Sequence, residues 1–411
     1  MITAELVATG TELLIGRTVN THTQRLGRAL APLGIALERE TTLRDDRPSI
    51  ASAVRAALAR SQIVFVTGGL GPTCDDLTRE ALADALGRKI VRDTVALSRI
   101  RARCVRLGQS MTDSRARQAD ILEGATALSN AVGAAPGQRI DLGGNRVAFV
   151  LPGPPREFEA ILAEHVLPWL RGHFHSPVAP ERILMVCGLG ESDVIERFAA
   201  AGFDPAPLDL AYCAGPGQIE VRLTGKPGEE SAVAAASARA LAILGDNVYA
   251  ESREDLVAAV GRRLQARGAT VASAESCTGG LVAQILTSVP GSSAWYRGSI
   301  VAYANDVKTA LLGVPADLIV AHGAVSEPVA RAMAEGARRA LGTDFALATT
   351  GVAGPDGATP EKPVGLVWWA LTDAKGTVAR TRRFPGDRDL IRRWTAQFAL
   401  DLLRRRLDGT A

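Results

Sequence analysis

The sequence predicts an α/β protein made of two three-layer α/β/α domains joined by a small α+β module. Three observations carry this prediction. Short apolar runs such as Ile63-Val64-Phe65-Val66 and Phe345-Ala346-Leu347-Ala348 alternate with helix-length amphipathic segments. Glycine-rich loops follow the runs directly, as they do where parallel strands deliver ligand-binding turns. The 411 residues also exceed what one hydrophobic core usually organises. The boundaries read as 1–169, 170–250 and 251–411.

The first segment opens on the strand Leu6-Val7-Ala8, which ends in Thr9-Gly10-Thr11-Glu12. A helical pattern runs from Thr21 toward Leu33, with Gly34 as its stop. The run at 63–66 then leads into Thr67-Gly68-Gly69-Leu70-Gly71-Pro72-Thr73-Cys74-Asp75-Asp76-Leu77-Thr78. Glycines in such a loop permit close approach to phosphates, and Asp75 and Asp76 are hard oxygen donors suited to a divalent cation. The same carboxylates could instead cap the helix that starts near Leu77. Ala134 to Gly137 and the turn Leu151-Pro152-Gly153-Pro154-Pro155-Arg156-Glu157 add rigid loops to the same mouth.

After Trp169 the texture loosens, with His173, His175 and four prolines between Pro177 and Pro207. The two histidines read as an exposed pair in a join. The alternating strand Ile219-Glu220-Val221-Arg222-Leu223 and an alanine-rich helix near Ser231 to Leu244 make a small α+β module with a structural role.

The last segment begins with a helix around Leu256–Leu264. The strand at 268–272 follows and delivers the turn Ala274-Glu275-Ser276-Cys277-Thr278-Gly279-Gly280. A helix N-terminus there favours negative charge, and its two glycines would let amides crowd a ligand. Further on, Ser326-Glu327-Pro328 reads as a helix start capped by Ser326, with Val329, Met333, Ala337 and Leu341 on one face. The strand at 345–348 delivers Thr349-Thr350-Gly351-Val352-Ala353-Gly354-Pro355-Asp356-Gly357, a second glycine-rich loop.

Composition narrows the function classes. Forty-seven Lys and Arg against 44 Asp and Glu leave a net charge of +3, too little to argue for nucleic acid, and the arginine runs read as solvated faces. The five cysteines form no C-x-x-C pair, which points away from zinc and disulfides. No apolar run approaches the roughly 18 residues of a membrane span, and the first residues lack a signal-peptide pattern. A cytoplasmic protein without a membrane partner is expected.

Ser276 and Cys277 are rival nucleophiles in the first turn. His322 is the only histidine of the segment and sits in a turn, so a serine there would need a lysine that burial keeps partly neutral. Lys308, in Tyr303-Ala304-Asn305-Asp306-Val307-Lys308, is that candidate, or else an ordinary solvated helix lysine. Cys277 at a helix N-terminus could be activated, or could simply pack. Amides of the glycine-rich loops could stabilise an oxyanion, and the Thr350 hydroxyl could place a substrate. Arg388 could clamp a phosphate, or pair with Asp387 or Asp389.

These motifs, in this order, resemble the CinA family of competence/damage-inducible proteins along essentially the whole chain. Gly10-Thr11-Glu12-Leu13-Leu14 and Gly68 to Thr78 are similar to its amino-terminal domain, which is like the molybdopterin-binding proteins of the MoaB and MogA type. Ala274 to Gly280, Tyr303 to Lys308, Gly323 to Pro328 and Gly351 to Gly357 are similar to its PncC-type amidohydrolase domain. Arg44, where the family often has glycine, and Cys74, where it often has lysine or proline, depart from the pattern near the first domain's loop.

The resemblance implies hydrolysis of the carboxamide of nicotinamide mononucleotide (NMN) by the last domain, giving nicotinate mononucleotide and ammonia without a cofactor. Ser276 would be the nucleophile and Lys308 its base. Thr278, Gly279, Gly280, Tyr303, Thr350, Gly351, Gly354 and Arg388 would contact substrate. For the first domain it implies a metal-dependent ADP-ribose pyrophosphatase using Glu12, Gly68, Gly69, Gly71, Thr73, Asp75 and Asp76, the two aspartates holding a divalent metal ion. NMN and ADP-ribose would be the partners, with a homodimer and no direct nucleic acid. The contrasting expectation is a non-enzymatic adaptor linked to competence or DNA damage.

Overall fold

A computed structural model describes residues 2–410. The chain divides into two compact units, 1–179 and 180–411.

The first unit is built on a six-stranded sheet in the order Ile35–Leu43, Ile2–Thr9, Ile63–Thr67, Arg146–Leu151, Gly137–Gly143, Thr126–Leu128. The first four strands are mutually parallel and the last two pairings antiparallel. Both faces are covered, because successive side chains of a strand point to opposite sides. Ile63 and Phe65 join a core with Leu26, Leu30 and Phe158, whereas Val64 and Val66 join another with Ile50, Val54 and Leu82. The helix expected from Thr21 to Leu33 is His22–Leu30 continued by a 3₁₀ turn, Ala31–Leu33, and Gly34 ends it in the left-handed region at φ +66°. Trp169 lies within the helix Leu167–His173, whose last residue is exposed and stacks its ring on Trp169 at 3.8 Å.

The second unit holds two sheets. The smaller has the order Asp209–Gly215, Gln218–Thr224, Glu181–Cys187, Val248–Ala250, all antiparallel. Helices Glu191–Ala200 and Glu230–Leu244 cover one face through Val194, Phe198, Val233 and Leu244. Its other face is apolar too: Ile183, Met185, Cys187 and Tyr249 share a core with Leu256, Val260, Leu400 and Leu403. Polar links run alongside, with Arg404 donating to the Asp246 carbonyl at 2.8 Å and Arg263 to that of Tyr249 at 3.2 Å.

The larger sheet runs Tyr296–Val301, Val271–Glu275, Phe345–Gly351, Leu366–Asp373, Gly376–Arg383, the first three parallel and the last two antiparallel. One face carries Val271, Leu347, Trp369 and Leu371. The centre of the other is made of small residues, Ala272, Ala274, Ala346, Ala348 and Ala370, against helix Glu327–Leu341. Of the face expected on that helix, Val329, Met333 and Ala337 are fully buried. Gly336 lets the Leu312 carbonyl approach where any Cβ would collide. Ser326 occupies the cap position, but its hydroxyl donates to the Gly323 carbonyl at 2.8 Å and receives no helix amide. The parallel strands at 271–275 and 345–351 end side by side, and their loops meet there.

Candidate active site and nucleotide cavity

Ser276 follows the last residue of a strand that is buried throughout. That last residue, Glu275, has no exposed surface, and a buried carboxylate needs compensating donors. It finds them in the helix Leu281–Thr287: the amides of Gly280 (2.9 Å), Val282 (3.0 Å) and Ala283 (2.8 Å) donate to it, as does the Ser299 hydroxyl (3.1 Å). The helix N-terminus expected to attract a ligand's negative charge is therefore filled by the protein's own carboxylate. Gly279 donates its amide to the Ser276 carbonyl at 3.1 Å, so neither glycine amide is free to hold an oxyanion. Thr278 is buried, its hydroxyl bonded to that of Thr349 at 2.7 Å and its carbonyl taken by Arg392. Thr278, Gly279 and Gly280 shape the turn and do not line the cavity beside it.

That cavity, about 200 Å³, brings together Ser276, Tyr303, Lys308, Thr350, Gly351 and Arg388. Lys308 stands in the first turn of helix Asn305–Leu312 and is only 1% exposed. Helical side chains lean toward the N-terminus, and the Nζ accordingly donates to the carbonyls of Ala302 and Tyr303, both at 2.9 Å. Burial pushes this amine below the usual lysine range, which favours its neutral form. Two N–H bonds are thus fixed by backbone carbonyls, and a third tetrahedral position remains on the nitrogen. Cys277 is 4% exposed, and burial pushes its thiol up to about 12, so it packs as a thiol.

Thr350 donates its hydroxyl to the Ala324 carbonyl at 2.8 Å, tying the strand end to the loop before helix Glu327–Leu341. Arg388 forms neither of its expected ion pairs. Asp387 accepts the Leu390 amide at 2.8 Å as the cap of helix Arg388–Asp408, and Asp389 pairs with Arg393 at 2.7 Å. Its guanidinium instead donates to the Gly354 carbonyl at 2.8 Å and the exposed Tyr303 hydroxyl at 3.1 Å. Gly354 thus orients Arg388 and does not itself line the cavity. Asn305, Ala324 and Val325 also line it. Sequence reasoning missed them as site residues, although the motifs 303–308 and 323–328 contain them. His322 does not line the cavity.

In the first unit Glu12, Gly68, Gly69, Gly71, Thr73, Asp75 and Asp76 all line one larger cavity, about 640 Å³, at the carboxyl ends of the strands 2–9 and 63–67. The glycines serve a purpose other than the expected one. A Cβ on Gly68 would strike the Thr9 carbonyl, on Gly69 the Thr78 hydroxyl, and on Gly71 the Asp76 carboxylate at 2.5 Å. Protein atoms fill those spaces, so the glycines let the loop fold on itself. Asp76 closes it, accepting the amides of Gly71 and Thr73, both at 2.8 Å, and the Thr73 hydroxyl. Asp75 is exposed. Asp45, at the cavity wall, is engaged by Thr11, through its amide at 2.8 Å and its hydroxyl at 2.9 Å.

The expected metal pair does not fit a resident ion. Asp76 spends both oxygens on the loop, and among the described residues no three His, Cys, Asp or Glu side chains are grouped to hold one. His22, which the sequence reading passed over, also lines this cavity. Its ring stacks on Phe158 at 4.2 Å, and burial pushes it down to about 4, so it is neutral near pH 7. Its Nε2 is buried without a partner. Its place directly after Thr21, at a helix start, was the available signal.

The architecture defines a protein that joins a MoaB/MogA-like domain to a CinA-type domain. The description "Probable molybdopterin binding domain" matches residues 5–172, "Damage-inducible protein CinA KH domain" residues 181–250, and "CinA C-terminal domain" residues 253–407. A CinA-like protein of Gemmatimonas aurantiaca is 44% identical, over 98% of this chain and 95% of its own length. Another, of Koribacter versatilis, is 41% identical over 98% and 99%. The solved CinA superfamily protein of Klebsiella pneumoniae is 34% identical, covering 38% of this chain and 96% of its own, with a TM-score of 0.37. The chain belongs to the CinA family.

KH domains clamp a nucleic-acid backbone with a G-x-x-G loop. Here Gly225-Lys226-Pro227-Gly228 has the amides of Lys226 and Gly228 bonded to the carboxylates of Glu229 (2.6 Å) and Glu230 (3.2 Å). Those donors are already used, by groups that repel phosphate. Among the described residues no helix is long and apolar enough to cross a membrane.

Proposed function

We propose that the carboxyl-terminal domain is a cofactor-free nicotinamide-nucleotide amidohydrolase, converting NMN and water to nicotinate mononucleotide and ammonia. The observation that carries this reading is the desolvated Lys308, held by two backbone carbonyls in the cavity that contains Ser276. Neutral Lys308 takes the Ser276 hydroxyl proton as the oxygen attacks the carboxamide carbon. When the C–N bond breaks, that proton goes to the leaving nitrogen and ammonia departs. Water then attacks the acyl-serine ester, with Lys308 accepting its proton and returning one to the Ser276 oxygen. Arg388, without a carboxylate partner among the described residues and steadied by Tyr303 and Gly354, meets the phosphate at the rim. The Thr350 hydroxyl, already donating to Ala324, is left as an acceptor toward substrate.

For the amino-terminal cavity we propose a nucleotide of the ADP-ribose type. Any divalent cation belongs with the ligand's phosphates, with Asp75 the exposed carboxylate of the loop beside them. Cytoplasmic residence, a homodimer and the absence of a nucleic-acid partner complete the reading.

The test is purified protein incubated with NMN, with ammonia and nicotinate mononucleotide measured. Ser276→Ala should lower turnover by about a thousandfold or more while the melting temperature stays put. An adaptor without catalysis would release no ammonia, and near-normal turnover by the alanine variant would remove Ser276 from the mechanism.

A further inference from the structure

Ala324 and Val325, which line the Ser276 cavity, lie on the short loop between helices Ala316–His322 and Glu327–Leu341. An irregular loop has no ladder to satisfy its backbone, so outside donors fix its path. Three successive carbonyls are held in this way, by side chains from three parts of the chain. The Lys362 Nζ donates to the His322 carbonyl at 2.6 Å, the Ser326 hydroxyl to that of Gly323 at 2.8 Å, and the Thr350 hydroxyl to that of Ala324 at 2.8 Å.

Lys362 reaches over from the loop that joins strands Phe345–Gly351 and Leu366–Asp373. That loop is closed at its neck, where Val352 donates to the Leu366 carbonyl at 2.9 Å and Gly365 to that of Val352 at 2.8 Å. It is closed again where Thr359 and Lys362 exchange backbone bonds, both at 3.1 Å. The ammonium is thus carried on a fixed frame. It has no carboxylate partner among the described residues, and Lys362 does not itself line the cavity. Gly323 makes room for it: at φ +71° a Cβ there would come within 2.4 Å of the Lys362 Nζ.

We infer that Lys362 is a positioning residue that lets the Ser276 site tell a carboxamide from a carboxylate. By fixing the His322 carbonyl it holds the loop so that the Ala324 carbonyl keeps the single hydrogen of the Thr350 hydroxyl. The Thr350 oxygen then serves the cavity only as an acceptor. A carboxamide N–H can donate to it, whereas the carboxylate of the product has no hydrogen to offer and is turned away. This rests on the reading of the domain as an amidohydrolase and adds how substrate is oriented and product let go.

The experiment is steady-state hydrolysis of NMN by the full chain, with nicotinate mononucleotide added as inhibitor, for wild type, Lys362→Met, Lys362→Arg, Thr350→Val and the double variant Lys362→Met/Thr350→Val. Lys362→Met should lower kcat about tenfold and leave KM within about threefold, because Arg388 still holds the phosphate. Once Ala324 is loosened, the Thr350 hydroxyl can turn its hydrogen to a carboxylate, so nicotinate mononucleotide should inhibit this variant about tenfold more tightly. Lys362→Arg keeps a donor for the His322 carbonyl and should reverse most of both changes. With Thr350→Val in place, Lys362→Met should change kcat by less than about twofold, since the hydroxyl it acts through is gone. Suppose wild type turns over NMN and Ser276→Ala does not. If Lys362→Met then leaves kcat and product inhibition within about twofold of wild type, or lowers kcat equally in both backgrounds, Lys362 has no positioning role and the amidohydrolase reading stands. If wild type releases no ammonia, both fall.

Discussion

The two cavities follow the same rule of placement and differ in what they bury. Each lies where parallel strands end, and each is framed by glycine-rich turns. The site around Ser276 is small and holds a lysine stripped of water. The site around Gly68 to Asp76 is larger, its carboxylates are engaged by the loop or exposed, and its buried titratable wall residue is a neutral histidine. Burying a charge-prone amine costs stability and yields reactivity near neutral pH, whereas a self-bonded loop fixes a shape for binding. On the proposed reading, the cavity around Ser276 serves covalent chemistry and the one around Gly68 to Asp76 serves nucleotide recognition.

The largest way to break this contrast is at Lys308. Lys308→Met should lower NMN turnover by about a thousandfold and leave ADP-ribose binding by the first domain intact. In the wild type, kcat/KM should rise with pH through an apparent value below the ordinary lysine range, because only the neutral amine can accept the serine proton. A profile flat through that range would deny Lys308 its role as base.

Glu275→Gln removes a buried charge that four donors hold. It should destabilise the second unit by about 2 kcal/mol, read from urea unfolding. A loss confined to activity would mean that the carboxylate serves the substrate and not the helix. Asp76→Ala releases the amides of Gly71 and Thr73 and should weaken nucleotide binding about tenfold, with NMN turnover unchanged.

The smallest effect is expected at His22. Its imidazole is depressed in the folded state, so the unfolded chain takes up the proton first. Its contribution is complete above the ordinary histidine value of about 6.5 and is lost as pH falls toward about 4. Calorimetric melting at pH 7 and pH 5 should show a larger acid loss for wild type than for His22→Gln; equal losses would assign the sensitivity to other groups.

Much of this was readable from local pattern. The strands 63–67 and 345–351, the helix stop at Gly34 and the buried face of helix Glu327–Leu341 follow from periodicity and from residues with narrow backbone preferences. What escaped depends on which groups meet through space. Glu275 reads as one more turn residue until the helix amides are seen converging on it, and then Gly279 and Gly280 stop being ligand donors. Asp76 looked like a metal ligand because side-chain type is visible in sequence, whereas its closure onto Gly71 and Thr73 is not. Arg388 gained weight for the opposite reason: both neighbouring aspartates found other partners.

The small sheet of the second unit also constrains how the molecule can be taken apart or varied. With Ile183, Met185 and Tyr249 packed into the core of Leu256 and Leu403, a break near residue 250 would leave two greasy wounds, one on each fragment. A soluble carboxyl-terminal piece should therefore begin near residue 180. Substitutions that change volume on either side of that seam must change together, so the middle and last domains are bound to drift through sequence space as one body.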